Sequence, residues 1–214
     1  MKREIEQNRL APCLDIKAMF AAAAEEEADI DATLFEGLTL EGGVYPELTF
    51  RGCRFVGCRL SGCSLERAAL IDCSLEQCDL SNIRMGKGTL QRTKLSDCKL
   101  VGISLTESFL LDSIVERSVA RYANLYGSKM RHVKLIDSDF SSASLAGCTL
   151  GSTAFIRCLL SRAELFGTLC NGMDLADCDL SGIALSGGEL RGATVSLEQA
   201  AMLGQLLAGV AIKE

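Results

Sequence analysis

One column of the sequence constrains this chain more than any other feature. From Ile30 to Val195 every residue whose number is divisible by five is hydrophobic; of these 34 positions 26 are Leu or Phe, and only Ala120 and Cys170 are small. The frame runs through 166 residues without a slip. A period of five fits neither an α-helix, where residues five apart point about 140° away from each other, nor a flat strand, where they face opposite sides. The chain must therefore turn after every pentad.

Two positions ahead of each hydrophobe sits a second column of small or slim side chains, such as Cys53, Cys58, Cys63, Ala68, Cys73, Cys78, Ile83, Gly88, Thr93 and Cys98. If both columns point inward and the residue between them points outward, each pentad is a minimal strand followed by a two-residue corner. The corners are rich in turn formers, among them Gly52, Gly57, Gly62, Asp72, Asn82, Gly182 and Gly187. A spacing of twenty makes the inward columns most uniform. Residues 58, 78, 98, 118, 138, 158 and 178 are Cys, Cys, Cys, Ser, Ser, Cys and Cys, whereas 63 to 183 in the same steps are Cys, Ile, Ile, Ala, Ala, Ala and Ile. Four pentads per coil give a square cross-section.

Stacked coils pair their backbones in parallel at about 4.8 Å, so roughly eight coils make a rod about 40 Å long. Parallel crossovers are overwhelmingly right-handed, which sets the expected hand. The interior has room for one ring of Leu or Phe and one ring of small residues, which makes it a packed core and not a tunnel. The expected fold class is all-β, a right-handed quadrilateral parallel β-helix with short helical caps at both ends.

The pentads CDLSN (78–82), ANLYG (123–127) and CDLSG (178–182), together with the whole 30–195 frame, resemble the pentapeptide-repeat proteins. The resemblance implies the same right-handed four-sided β-helix. The chain departs from the A(D/N)LXX consensus of that family by its frequent Cys two positions before the central residue.

An open solenoid end exposes unpaired backbone and a ring of apolar side chains, so both ends need covers. Residues 1–29 are expected to be a helical cap, since 15–28 read DIKAMFAAAAEEEA with Asp15 as N-cap. Residues 30–195 form the β-helix. Residues 196–214 begin with an S-x-x-Q capping box, Ser196 and Gln199, and continue through helically spaced leucines to a stop at Gly209. Met202, Leu203, Leu206, Leu207, Val210 and Ile212 are more apolar surface than one lid requires. Either a monomer's lid or a symmetric homodimer through these C-terminal ends accounts for them. The segment 196–212 is similar to the closing segment of quinolone-resistance (Qnr-type) members, a resemblance that implies tail-to-tail dimers.

Chemistry is scarce. One histidine, His132, at an outward corner, leaves no imidazole pair for a triad or a metal, and Gly86-Lys87-Gly88 lacks the rest of a phosphate loop. Nine of the eleven cysteines lie in the slim inward column, as buried small hydrophobes spread along the axis, and not converging on a metal. No enzyme activity, cofactor or metal is expected. The N-terminal sequence lacks a long apolar stretch, no run of 18 apolar residues occurs, and free thiols suit a reducing compartment. A cytoplasmic protein that contacts neither membrane nor nucleic acid directly is expected.

Two functions remain. Resemblance to topoisomerase-protecting members implies an acidic rod that imitates duplex DNA and binds DNA gyrase or topoisomerase IV, protecting against quinolones. The charge is uneven, however: net −5 over residues 1–40, +4 over 41–135 and −5 over 136–214. A uniform phosphate mimic would be acidic throughout. A single acidic zone from Asp137, Asp139, Asp174, Asp177 and Asp179 could form only if a dimer joined those ends. The competing function is a rigid protein-binding scaffold. It rests on outward apolar residues of one face, Phe109, Tyr126, Phe166 and Leu169, which mark either an interaction patch or side-chain ladders between neighbouring coils.

Overall fold

The computed structural model describes residues 10–211, which wind into a four-sided parallel β-helix closed by a helix at each end. Two of the four faces carry three-residue strands. One sheet has eight strands, from Ala11–Pro12 to Ala154–Ile156, and the adjoining sheet has seven, from Ile30–Asp31 to Thr149–Gly151. All neighbours are parallel, and from Phe50↔Leu70 to Leu135↔Phe155 the partners are twenty residues apart. The other two faces are linked by single bridges at the same spacing, such as Arg59↔Asp79 and Ser64↔Arg84. The strand ladders make about seven turns, one fewer than the frame alone suggests. Beyond Ile156 the chain keeps bridges such as Leu159↔Asp179 and Asp174↔Thr194 but adds no further three-residue strand.

The two kinds of face differ because their corners differ. After Leu80, Leu100 and Phe140 the backbone turns tightly enough for the N–H three residues on to reach the central carbonyl, as in Ala143 N–H to Phe140 O at 3.0 Å. Slim polar side chains from the next coil also bond central carbonyls, on both kinds of face; Ser108 Oγ donates to Met85 O at 2.9 Å although the Gly88 N–H already reaches that oxygen. Cys53 Sγ donates to Ile30 O at 3.1 Å, Thr93 Oγ1 to Leu70 O at 2.9 Å, Ser113 Oγ to Leu90 O at 3.2 Å and Cys158 Sγ to Leu135 O at 3.2 Å. Buried carbonyls need partners. Slim donors accordingly recur in three of the four inward columns, with Val133 and Met173 among the interruptions, while the column from 63 to 183 holds mostly Ile and Ala. The cysteines are therefore hydrogen-bond donors as well as the small hydrophobes expected from their position.

The second corner residue adopts the left-handed conformation almost throughout. Gly57 has φ 60°, but so do side-chain-bearing residues such as Asp72 (55°), Arg92 (50°), Tyr122 (58°) and His132 (54°). None of the non-glycine residues there is β-branched, in keeping with the steric cost of that conformation for Val, Ile and Thr. Where successive coils carry long side chains at this corner they stack over one another, as Arg92 does over Asp72.

The interior is a column of fully buried leucines and phenylalanines enclosing a cavity of only about 30 Å³, so the core is packed and not tubular. At the N-terminal end, α1 (Ile16–Glu26) starts at Asp15, whose carboxylate accepts the Ala18 N–H at 3.0 Å, and buries Ile16, Phe20 and Ala23. The Phe20 ring packs edge-on against Phe35 and Tyr45, with centroids at 5.9 and 5.5 Å, and plugs the hydrophobic column.

The C-terminal end is closed by two side chains. In a further coil, Gly167 N–H would bond the Ser186 carbonyl; instead it donates to Glu189 Oε1 at 3.1 Å. The same carboxylate accepts N–H groups from Ser186, Gly187 and Gly188, the last two at 2.8 and 3.0 Å. Burial alone would raise the Glu189 carboxyl, yet these backbone donors outweigh it and hold the group at about 2. The Cys178 carbonyl, which would meet the backbone N–H of residue 199 in a continuing coil, receives Gln199 Nε2 at 2.6 Å, and Leu175 O accepts from the same atom at 2.9 Å. Gln199 Oε1 also accepts the Ser196 N–H, completing the capping box of α2 (Leu197–Ala208), which ends at left-handed Gly209.

Candidate functional site

The four apolar residues singled out on one face are all solvent-exposed: Phe109 by 39%, Tyr126 by 55%, Phe166 by 43% and Leu169 by 67%. Phe109 and Leu169 lie at the outward strand position, and Tyr126 and Phe166 at the preceding corner. The pentad geometry aims each of them away from the core. Between the two corner aromatics lies Ala146, and a Cβ on neighbouring Gly147 would stand 3.8 Å from the Tyr126 ring, so that ring leans along the rod toward the next coil. The face is a ridge interrupted by Lys129 and Thr149, which sit beside Phe109 in successive rungs.

The C-terminal hydrophobes divide. Leu203 is buried and Met202 half-buried against the core, so those two are spent on the molecule's own lid and are not free for a partner. Leu206, Leu207 and Val210 remain exposed, as does Leu197, which the sequence reading missed because it stands at the first turn of α2 outside the leucine spacing. Ile212 lies outside the described residues.

Two of the five acids of the proposed zone, Asp137 and Asp139, are paired with arginines, while Asp174, Asp177 and Asp179 make no ion pair among the described residues. Arg157 grips Asp137 with Nε and Nη2 at 2.6 and 2.7 Å, extending a file that begins with Asp97 and Arg117. Asp139 is buried and bound by Arg121. Burial would raise its carboxyl, but the Ser141 donors and Arg121 keep it below the ordinary carboxylate range. Asp174 and Asp179 accept the N–H groups of Ala176 and Ser181 in local turns. Asp177 and Asp179 line a groove of about 530 Å³ beside α2 with Glu198 and Arg157. Glu189 is the buried end cap described above. No signal in the sequence separates it from its exposed neighbours.

All eleven cysteines are buried free thiols, and among the described residues no cluster of His, Cys, Asp and Glu could hold a metal. Burial pushes Cys148 and Cys170 up to about 11 and Cys178 to about 12, keeping them protonated and unreactive at neutral pH. Contacts between stacked thiols shift Cys53 and Cys98 the other way. His132 is exposed at its corner, where its Nε2 accepts from Arg131 Nε at 3.3 Å. Among the described residues no helix is long and apolar enough to cross a membrane.

Five-residue units, each a short extended segment and a corner, wound into a square, internally packed column define a class of repeat solenoid. The pentapeptide-repeat family model matches in eight copies over residues 49–85 and 123–162, so these segments of the β-helix are pentapeptide repeats. No curated protein matches its sequence. Among solved structures it is similar to HetL, a pentapeptide repeat protein involved in heterocyst differentiation regulation from the cyanobacterium Nostoc. That likeness has 20% identity over 86% of this chain and 97% of HetL, with a TM-score of 0.49. It is also similar to trypsin-treated QnrB1, a plasmid-mediated fluoroquinolone resistance protein, at 18% identity over 87% of this chain and all of that one, with a TM-score of 0.36. Rfr23 from the cyanobacterium Cyanothece shares 18% identity over 84% of this chain and 99% of its own, with a TM-score of 0.20.

Proposed function

We propose that the protein is a non-catalytic cytoplasmic scaffold whose rigid rod presents the Phe109, Tyr126, Phe166 and Leu169 ridge to a partner protein. The observation that carries this reading is the gathering of three exposed aromatic rings and a leucine on one face of a column whose central hydrophobes are buried; Val44, Val119, Tyr122 and Leu159 are exposed outside that face. The buried free thiols support the reducing setting. Affinity capture with the wild type and with a Tyr126→Ser/Phe166→Ser variant tests the reading. Both side chains are outward, so the variant keeps the fold, and it should lose the specific partner; a folded variant that retains every captured protein refutes it.

A second copy docked through Leu206, Leu207 and Val210 is the proposed oligomeric state. Light scattering of wild type and Leu206→Asp should give a dimer and a monomer. The gyrase-binding DNA mimic is the weaker reading, because Arg157 and Arg121 cancel the charge of Asp137 and Asp139, leaving only Asp174, Asp177 and Asp179 of the acids it needs. A gyrase supercoiling assay with and without quinolone decides it: protection or inhibition at micromolar protein would restore that reading.

A further inference from the structure

Along most of the rod, cations face acids about one rung away: Arg92 meets Asp72, Lys99 meets Asp79, Arg117 meets Asp97 and Arg157 meets Asp137. The coil from Lys129 to Lys134 breaks this pattern. Lys129, Arg131 and Lys134 are all exposed, and among the described residues none of them makes an ion pair. Their register partners are uncharged: Phe109 and Thr149 flank Lys129, Leu111 and Gly151 flank Arg131, and Ile114 and Ala154 flank Lys134. Of the acids on the two adjoining rungs, Asp112 stands at the corner file between Arg92 and His132, and Glu116 is already held by Lys94 and Arg117.

This unbalanced belt runs into the apolar ridge. Lys129 lies beside Phe109 at the rung spacing of about 4.8 Å, and Tyr126 occupies the corner just before it. Any ligand that covers Phe109 must therefore meet the Lys129 ammonium, and any ligand that neutralises Lys129 must meet the Phe109 ring. Lys129 and Arg131 project from one strand about 7 Å apart, within reach of successive same-side residues of an extended peptide.

We propose that this face docks a peptide segment combining acidic and apolar side chains, its hydrophobes on Phe109 and Tyr126 and its carboxylates on Lys129, Arg131 and Lys134. The proposal rests on the reading of the ridge as a docking surface and adds the chemistry of the partner. A polyanion such as duplex DNA would satisfy the cations while leaving both rings against water. A purely apolar segment would bury Lys129 without a counter-charge, which is costly.

The test is selection of a displayed library of random 16-residue peptides on the full-length protein. Anisotropy titrations of the selected peptides against three proteins follow: wild type, Lys129→Gln/Arg131→Gln/Lys134→Gln, and Tyr126→Ser/Phe166→Ser. All five substituted side chains point outward, and unchanged circular dichroism verifies the fold. The expected result is enrichment of peptides carrying both acids and hydrophobes. Their affinity should fall about tenfold on removal of the three charges, the scale of three exposed ion pairs, and fall again as salt is raised. Peptides lost on the ridge variant but free of acidic excess and indifferent to the charge variant would overturn the acidic-partner assignment and leave the docking ridge standing. Peptides indifferent to both variants, or an empty selection, would overturn both. A 20-base-pair duplex that outcompetes the selected peptides would overturn the assignment in favour of polyanion binding.

Discussion

Glu189→Gln removes one charge and almost no volume, and it should open the C-terminal end of the rod. The native carboxylate collects N–H groups from Gly167, Ser186, Gly187 and Gly188, shared between its two oxygens. An amide keeps one oxygen and presents an NH₂ where the other stood, so backbone donors face a donor. Holding the carboxyl at about 2 against an ordinary 4.5 corresponds to about 3 kcal/mol at neutral pH. A similar size follows from leaving one or two buried donors orphaned. For a chain of this length that is a fall in melting temperature of about 6–12 °C. Because repeat stability is a sum of neighbouring terms, fraying should be local, with faster amide exchange at Gly167, Ser186, Gly187 and Gly188 than in the central coils. The pH dependence has a definite sign. A carboxyl lowered by folding stabilises fully above its unfolded value and loses that contribution as pH falls from about 4.5 toward 2, so the two proteins should converge there. Equal urea midpoints at pH 7, or a gap that stays constant between pH 5 and pH 2, would refute the reasoning.

Three other substitutions or titrations follow from the same geometry. Cys158→Ala should cost about 1–2 kcal/mol because the Leu135 carbonyl loses its donor, while Cys158→Ser should cost much less; urea unfolding of both variants distinguishes donor loss from lost volume. Phe20→Ala should cost about 3–5 kcal/mol by emptying the N-terminal plug, read as a drop in melting temperature with first loss of protection in residues 30–50. Thiol burial makes the native protein resist iodoacetamide at pH 7.5, with mass spectrometry finding full alkylation only in denaturant. Since folding raises Cys148, Cys170 and Cys178, stability should be lost as pH climbs from about 9 toward 11 and beyond.

The repeat frame was fully legible before any coordinate. A hydrophobe at every fifth residue leaves the backbone no regular option but a corner after each one, and the uniform column at 58, 78 and 98 sets the spacing of twenty. Helix caps were equally local: Asp15, Ser196 with the amide oxygen of Gln199, and Gly209 act on backbone groups within four residues of themselves, whereas the Gln199 amide nitrogen reaches carbonyls of the preceding coil. What the linear order could not reveal were relationships between coils. Cys53 looks like filler until the Ile30 carbonyl is found beside it. Glu189 resembles Glu164 in sequence, yet only one of them meets an open end of the solenoid. Asp137 and Asp139 counted as surface charge until Arg157 and Arg121 were placed next to them. Sequence alone determined the period, the square coil and the helical caps, because those follow from side-chain spacing and short-range hydrogen bonding. Tertiary structure decided which charges are cancelled, which carboxylate is buried and which belt of cations stays unpaired, because each of those depends on residues brought together by stacking from about twenty positions away.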